Sequence, residues 1–323
     1  MPDKQLPREP RNREDYAGSM TQDSSSAVSP NALDSASLRA VAIAAAQATG
    51  PGLRAAFRGG VTSREKTNAH DLVTDFDEDT ERILAEYLLN AYPESTFWGE
   101  EDTQSHSAGI AELEWIVDPI DGTSNFVHGI ALFSVSIAAT INQELVAAVV
   151  YDPIAEIVFS ADEFGAYIND TKISREDDAN QPLRSDERSL SLLTDYPSAE
   201  AIAEDGPLAL EAFGELVTTF ATVRRPVSSA QSLAHVAAGW SDVWFGFGLK
   251  AWDIAAGAFI VQQAGGHFEA IGDATADTPG QRISEDDDVH PLTAPAYFAL
   301  GPGVESETTY GWITRILEHR QRG

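Results

Sequence analysis

The stretch WIVDPIDGTSNF, residues 115–126, limits what the chain can fold into more than any other segment. Its first three residues are apolar and indicate a buried strand, and the proline between Asp118 and Asp121 fixes the backbone there. Gly122 permits a tight turn directly after the second acid, and Thr123 stands where a helix would begin. The pattern predicts a buried strand that ends in two carboxylates and a turn.

Oxygen atoms of carboxylates, backbone carbonyls and hydroxyls are the ligands that hard cations prefer. The two aspartates and the carbonyl of Ile120 can converge in such a turn, and free N–H groups at a helix start bind anions such as phosphate. For this stretch alone, two interpretations stay open: a metal site with a phosphate beside it, or a turn in which the acids only cap the chain. Because the chain has no cysteine, thiolate metal sites and disulfides are excluded.

The charge of the chain limits its partners. Fifty-one acidic residues against 21 basic ones give a formal net charge of −30. Binding to a nucleic-acid backbone needs clustered Lys and Arg, so we expect no nucleic-acid partner. No apolar run approaches the about 18 to 20 residues of a membrane span, and the N-terminus shows no signal-peptide pattern. We therefore expect no membrane partner and a cytoplasmic location.

Composition divides the chain into three parts. Residues 1–33 are rich in Pro, Ser, Arg and Asp and lack periodicity, which predicts a disordered, acidic and serine-rich tail. Residues 34–180 combine helical patterns with strands that read as an antiparallel meander, and residues 181–323 alternate strand and helix signals. The pattern predicts an α+β fold with layers of helix and sheet in two lobes, the N-terminal lobe having a largely antiparallel sheet.

Several element boundaries can be predicted from local signals. A first helix covers residues 34–50, with an aspartate before it and a glycine behind it. A second helix begins near Asp77, its expected N-cap, and stops at Pro93. In the second half of the chain, we expect a helix near residues 199–216 and a strand over residues 217–225.

Three further segments place single acids where turns and helix starts favour them. FWGEED contains Glu100, KTNAHDLVTDFDEDTE contains Asp77, and KAWDIAAGAFIVQQAGG contains Asp253. Taken singly, each acid is explained by a solvated turn or a helix cap. Taken together with the opening stretch and in this order, the segments resemble the inositol monophosphatase family, a group of magnesium-dependent, lithium-sensitive phosphomonoesterases.

The resemblance covers about residues 35–320 and implies a fold and an activity. The fold is a layered αβαβα sandwich, and the activity is Mg²⁺-dependent hydrolysis of a small phosphorylated substrate such as an inositol or sugar phosphate. Fructose 1,6-bisphosphate and 3'-phosphoadenosine nucleotides are alternative substrates, and a non-catalytic member of the family is a further alternative. The resemblance also implies two or three Mg²⁺ ions, inhibition by Li⁺ and a homodimer.

Carried over position by position, the resemblance implies a role for each of a small set of residues. The metal ligands that it implies are Glu100, Asp118, the carbonyl of Ile120, Asp121 and Asp253. The catalytic residues that it implies are Glu100 and Thr123 beside the attacking water, Asp77 at that water or a third ion, and Lys66 on a closing loop. The phosphate-binding N–H groups that it implies are those of Gly122 and Thr123.

The positions that select the alcohol part of the substrate differ from those of inositol-specific members. Val227 stands where glycine is expected, and Gly246 stands where glutamate is expected, so inositol specificity stays open. The loss of an acid at position 246 favours a substrate with more negative charge, such as a sugar bisphosphate. The side chains that we expect to contact the substrate are those of Arg224 or Arg225, Ser228 and Lys250.

The net charge of −30 also predicts a halophilic protein, one that works in concentrated salt. Salt shortens the Debye length from about 10 Å at 0.1 M to about 3 Å at 1 M, which screens repulsion within the folded state. We expect a higher melting temperature in 3 M than in 0.1 M KCl, measured by thermal unfolding. Equal melting temperatures would contradict the prediction.

Overall fold

The computed structural model describes residues 33–59, 63–65, 72–101, 112–173, 183–272, 281–282 and 291–322. Its helices are α1 (Ser35–Gly59), α2 (Asp75–Ala91), α3 (Thr123–His128), α4 (Ala199–Asp205), α5 (Pro207–Thr219), α6 (Ser229–Ala237), α7 (Ala251–Gln263) and α8 (Glu307–Arg322). Its first strands are β1 (Ser63–Glu65), β2 (Leu72–Thr74), β3 (Thr96–Gly99), β4 (Leu113–Asp121), β5 (Ser134–Ile141), β6 (Glu144–Asp152), β7 (Ile157–Asp162), β8 (Gly165–Ile168) and β9 (Thr171–Lys172). The remaining strands are β10 (Ser191–Thr194), β11 (Thr222–Arg224), β12 (Val243–Phe247), β13 (His267–Gly272), β14 (Gln281–Arg282) and β15 (Ala296–Leu300).

The first large sheet follows chain order, β3-β4-β5-β6-β7-β8-β9. Only its β3–β4 pair is parallel; the other neighbours are antiparallel, so the prediction of a largely antiparallel N-terminal sheet is confirmed. Helices α1 and α2 cover one face, where Leu38 and Leu84 pack with Trp115 of β4. These side chains are fully buried, and this apolar burial supplies most of the driving force for the outer layer.

The second large sheet has the order β11-β10-β12-β15-β13-β14 and is mixed. Strand β10 is parallel to β11 and β12, while β15 is antiparallel to both of its neighbours. Helices α4, α5 and α8 cover its outer face, where Ala209 and Ile313 pack with Phe245.

Helices α6 and α7 form a layer between the two sheets. Leu233 of α6 and Ile260 of α7 share one core with Ala138 of the first sheet and Tyr297 of the second. The two helices approach closely because position 257 has no side chain: a Cβ on Gly257 would lie 2.5 Å from the Cβ of Leu233. The layers therefore run α, β, α, β, α, which confirms the predicted αβαβα sandwich.

Several predicted boundaries were wrong. Helix α1 is capped by Asp34 as predicted, but it continues through Pro51 to Gly59 instead of ending near residue 50. An internal proline costs a helix about 3 kcal/mol, and burial of Leu53 and Ala56 in the core offsets that cost.

Helix α2 begins at Asp75 instead of Asp77, and its N-cap is Thr74. The predicted helix near residues 199–216 is divided between α4 and α5, because a glycine and a proline stand where they meet. Helix α5 runs on to Thr219, so only Thr222–Arg224 of the predicted strand is extended.

Some predictions lie outside the part of the chain that the structure describes. They include the tail over residues 1–32 and Lys66, and the proposed boundary near residue 180 lies in another such segment. The division into domains therefore stays a prediction. None of the helices in the described ranges combines the length and the hydrophobicity that crossing a bilayer requires.

Candidate metal centre

The aspartates of the opening stretch lie on β4 on either side of a β-bulge. Between Asp118 and Asp121, β4 advances three residues while its partner β5 advances two, from Ser136 to Ser134. Side chains alternate between the two faces of a regular strand, so residues three apart would point in opposite directions. The extra residue changes this alternation and brings both carboxylates to the same side.

The third acid of the cluster comes from the helix layer between the sheets. Asp253 lies in the first turn of α7 and accepts the backbone N–H of Lys250 at 2.7 Å, which caps the helix. One carboxylate oxygen from each of Asp118, Asp121 and Asp253 lies within 4.8 Å of the others, close enough to hold a metal ion.

The N-terminus of α6 binds Asp121 from the other side. Its carboxylate accepts the N–H groups of Ser229 and Ala230, each at 3.0 Å, and a short hydrogen bond from the Ser228 hydroxyl. The hydroxyl of Ser134 on β5 donates to the same carboxylate at 3.2 Å. Helix N-termini stabilise negative charge, so α6 fixes Asp121 in place and offsets part of the free-energy cost of burying its carboxylate.

Burial and mutual repulsion make these carboxyl groups unusually basic. Burial and the neighbouring carboxylate of Glu100 raise the pKa of Asp118 well above its ordinary value. Burial raises the pKa of Asp121 to about 6, although the bond from Ser228 lowers it, and burial raises the pKa of Asp253 to about 8. Hard oxygen ligands whose repulsion a divalent cation would relieve fit Mg²⁺.

Asp77 lies deeper beside this cluster, at the first turn of α2. It is fully buried and accepts the backbone N–H of Thr74 at 2.7 Å, while the Thr74 hydroxyl caps the helix by accepting from Phe76. Its other oxygen lies 3.0 Å from the hydroxyl of Thr123, which is also 3.0 Å from the carbonyl oxygen of Ile120. Burial raises the pKa of Asp77 to about 6 despite these bonds.

Glu100 follows β3 and lines an open cleft beside the three aspartates. Its backbone N–H donates to the carbonyl of Val117 at 3.1 Å, which extends the parallel pairing of β3 and β4. The next N–H, that of Glu101, donates at 2.8 Å to a carboxylate oxygen of Glu81, a fully buried residue of α2.

The loop before α6 forms the opposite wall of the cleft. Val227 has φ = 58°, in the left-handed region that β-branched residues avoid. Asp195 accepts its N–H at 2.7 Å. The side-chain amide of Asn125 donates to the carbonyl of Val227 at 3.2 Å and to the carbonyl of Pro226 at 2.6 Å. Position 227 therefore keeps the conformation of a glycine although its side chain differs.

The structure places the predicted residues in two groups. Those that line a cleft of about 220 Å³ are Glu100, Asp121, Gly122, Thr123, Ser228 and Asp253. Asp118 joins them through the carboxylate cluster, and Asp77 through Thr123. Arg224, Arg225 and Lys250 are exposed, and none of them is among the described residues that line this cleft.

Sequence reasoning missed several residues that hold this site. Asp195, Asn125 and Glu81 each bind the backbone of a distant segment. Asn125 lies inside the opening motif, so its position was a usable signal. Nothing in a single sequence indicates the partners of Asp195 or Glu81.

Comparisons with known proteins agree with the fold. The five layers and the buried carboxylates define an α+β protein with a candidate metal centre. The sequence model of the inositol monophosphatase family matches residues 34–296. The Nus factor SuhB of Pseudomonas aeruginosa is 35% identical over 229 residues, which cover 70% of this chain and 82% of that protein. The chain belongs to the inositol monophosphatase family.

Solved structures show the same architecture. The extragenic suppressor protein suhB from Bartonella henselae superposes with a TM-score of 0.68 and 28% identity, covering 86% of this chain and 97% of that chain. The inositol monophosphatase from Anabaena superposes with a TM-score of 0.65 and 25% identity, covering 88% and 96%.

The raised pKa values make the stability of the metal-free protein depend on pH. A carboxyl group whose pKa is higher in the folded than in the unfolded state favours folding at low pH, and this stability is lost as the pH rises. The pKa of an unfolded Asp is about 3.9, and burial raises the pKa of Asp253 to about 8. We expect the melting temperature in EDTA to fall by several degrees between pH 5 and pH 8 at constant high salt.

The control for this prediction is Asp253→Asn, which cannot titrate and should lose less stability between pH 6 and pH 8. Added Mg²⁺ should raise the wild-type melting temperature more at pH 8 than at pH 5, because the ligands are then deprotonated. A melting temperature in EDTA that rises with pH would refute the prediction.

Replacing Val227 by glycine should stabilise the protein. The left-handed conformation costs a residue with a Cβ about 1 to 2 kcal/mol, and Val227 is 42% exposed, so little packing is lost. We expect the free energy of unfolding to increase by about 1 kcal/mol, measured by urea denaturation. Val217→Gly, at a 51% exposed position of α5, is the matched control and should decrease it by about 0.5 kcal/mol. A decrease for Val227→Gly would show that the conformation is not strained.

Proposed function

We propose that the protein is a Mg²⁺-dependent phosphomonoesterase that hydrolyses a small sugar or inositol phosphate. The observation that carries the proposal is the convergence of Asp118, Asp121 and Asp253 beside an open cleft that Glu100 and Thr123 also line. Membership of the inositol monophosphatase family supports it. A non-catalytic member would be expected to lose at least one of these side chains, and all of them are present.

Two or three Mg²⁺ ions would be held by the side chains of Asp118, Asp121, Asp253 and Glu100 and by the carbonyl of Ile120. When bound, Mg²⁺ offsets the repulsion between the carboxylates and a phosphate ester, stabilises charge on the leaving oxygen and lowers the pKa of the attacking water. The protein side chains fix where the ions, the phosphate ester and the attacking water would lie. This positioning favours in-line attack by water without a protein nucleophile.

Thr123 and Asp77 would orient the attacking water. The Thr123 hydroxyl lies 3.0 Å from a carboxylate oxygen of Asp77 and can donate its proton there, so its oxygen stays free to accept a hydrogen bond from water. Asp77 is in turn held by the backbone of Thr74. We assign the phosphate to the N–H groups of Gly122 and Thr123, at the start of α3, and a role in closing the site to Lys66.

The alcohol part of the substrate has a second cleft available, of about 390 Å³, which adjoins the first one at Asp195, Ser229 and Leu249. Its walls include the side chains of Glu200 and Glu204 and the cation Arg320, which is already paired with Glu204 at 3.2 Å and with Asp205 at 2.8 Å. Like charges repel strongly where water is displaced, so a second phosphate would be disfavoured there. We therefore favour the monophosphate of an uncharged, hydroxyl-rich alcohol over fructose 1,6-bisphosphate or a 3'-phosphoadenosine nucleotide.

This conclusion differs from the sequence argument for a bisphosphate, which rested on Gly246. A Cβ at position 246 would lie 2.7 Å from a methyl carbon of Leu249, so an apolar side chain occupies that space. The carboxylates of this cleft come from α4 instead. Arg224, Ser228 and Lys250 remain candidates for substrate contacts; Ser228 lines the metal-centre cleft, whereas the two cations are exposed and outside its described lining.

The proposal also covers partners and conditions. Relatives are named Nus factors, but a net charge of −30 opposes binding to a nucleic-acid backbone, so we propose a small-molecule substrate and no nucleic-acid partner. Inhibition by Li⁺, a homodimer, a cytoplasmic location and work in high salt belong to the same proposal.

Phosphate release from inositol 1-phosphate, with and without EDTA, tests the proposal. We expect EDTA to abolish hydrolysis and Asp118→Asn to lower kcat/KM at least about 100-fold, because the substitution removes a metal ligand. Asp79→Asn, an exposed position on α2 that pairs with Arg82, is the matched control and should leave activity unchanged. Undiminished hydrolysis in EDTA would refute the mechanism.

The same assay distinguishes the substrates when it is run at low and high salt. Inositol 1-phosphate and glycerol 2-phosphate should be preferred to fructose 1,6-bisphosphate and 3'-phosphoadenosine 5'-phosphate. If Glu200 and Glu204 exclude a second phosphate, their replacement by glutamine should raise kcat/KM for the bisphosphate relative to the monophosphate. A wild-type preference for the bisphosphate would overturn the substrate assignment and leave the metal mechanism intact.

A further inference from the structure

Glu81 is a buried acid near the metal centre to which neither the sequence motifs nor the proposed mechanism gives a role. It lies on α2, one helical turn after Asp77, so both side chains face the ends of β3 and β4. It is 0% exposed, and its carboxylate accepts the N–H of Glu101 at 2.8 Å. Burying a carboxyl group costs free energy that hydrogen bonds must offset, so the presence of one here calls for a reason.

The same carboxylate also occupies the space beside Gly99. A Cβ at position 99 would lie 2.5 Å from the carboxyl carbon of Glu81, well inside van der Waals contact. Glu81 therefore touches the residue before Glu100 and binds the residue after it. The N–H of Glu100 itself is held by the carbonyl of Val117.

These contacts fix the backbone from which the Glu100 side chain enters the cleft. Glu100 lies just after the last residue of β3, and its N–H continues the ladder of hydrogen bonds to β4. The bond from the N–H of the next residue, Glu101, to Glu81 restrains the peptide between the two residues. Groups that orient a metal ligand in this way commonly change metal affinity about 10- to 100-fold when they are removed.

We propose that Glu81 is a positioning residue that holds Glu100 in the orientation required for Mg²⁺ binding. Gly99, which has no side chain, leaves the space that the Glu81 carboxylate occupies. The proposal rests on the metal centre of the proposed function. Glu81 contacts the backbone on both sides of Glu100, at Gly99 and Glu101, and acts on Mg²⁺ binding through that backbone.

Isothermal titration of the purified protein with MgCl₂, without substrate, tests the proposal. Glu81→Ala removes the hydrogen bond to Glu101 and should weaken Mg²⁺ binding about tenfold or more. Glu81→Gln keeps an oxygen that accepts the same bond, so its dissociation constant should stay within about threefold of wild type. Glu86→Ala, at a 64% exposed side chain on the same helix, is the matched control and should bind as wild type does.

Position 99 provides an independent test that does not remove Glu81. Gly99→Ala should weaken Mg²⁺ binding, because its methyl group displaces the carboxylate from Glu101. The same substitution should reduce Mg²⁺ affinity less in the Glu81→Ala background, where the carboxylate is gone. Some loss should remain there, because Phe97 still lies 2.8 Å from the new methyl group. This non-additivity is the signature of direct coupling between the two positions.

The activity assay separates positioning from a general loss of structure. In Glu81→Ala, the Mg²⁺ concentration for half-maximal activity should rise with the binding constant, while kcat at saturating Mg²⁺ recovers most of its wild-type value. A purely structural residue would lower the melting temperature in EDTA without changing Mg²⁺ affinity, and that result would overturn the proposal. Equal losses in the Gln and Ala variants would also overturn it, since the bond to Glu101 would then not be the cause. If the wild type itself binds no Mg²⁺, it is the proposed function that fails.

Discussion

Repulsion between carboxylates buried at the end of β4 is the constraint on which the rest of the structure depends. Oxygen atoms of Asp118, Asp121 and Asp253 lie within 4.8 Å of one another. The fold offsets part of this repulsion with backbone N–H groups, donated to Asp121 by α6 and to Asp253 by Lys250. Such dipoles stabilise negative charge without placing a basic side chain where a cation would bind. The excess charge that remains is what suits the site to a divalent ion.

The central helix layer explains how distant parts of the chain reach this point. Because α6 and α7 pack on both sheets, their N-terminal ends are held at the bulge of β4 by the cores of both halves. Gly257 allows the close contact with Leu233 that fixes one helix against the other. The geometry of the acids therefore depends on packing far from the cleft, and a change in that packing would move Asp253 relative to Asp121.

Local signals were sufficient to predict the carboxylates that converge at the candidate metal centre and insufficient to predict the groups that hold them. An apolar run followed by a proline and a glycine indicates β4, which forms where it was expected and ends at Asp121. The bond between Asn125 and Val227 joins residues 102 positions apart, and no feature of a single sequence pairs them. The end of α1 was predicted wrongly for the same reason, because tertiary burial of Leu53 outweighs the local helix-stop signal of Pro51.

The loop before α6 shows how a backbone conformation that favours glycine can be held with a branched side chain in place. Val227 adopts the left-handed conformation of a glycine because Asp195 and Asn125 bind its N–H and carbonyl groups, so the wall before α6 keeps its shape. At Gly246 a side chain has no room, because a methyl group of Leu249 fills the space beside it. Glu200 and Glu204 of the adjoining cleft are carried by α4, outside the motifs that supply the buried carboxylates. Specificity in this protein is therefore expected to depend on a part of the chain that the metal-binding motifs do not constrain.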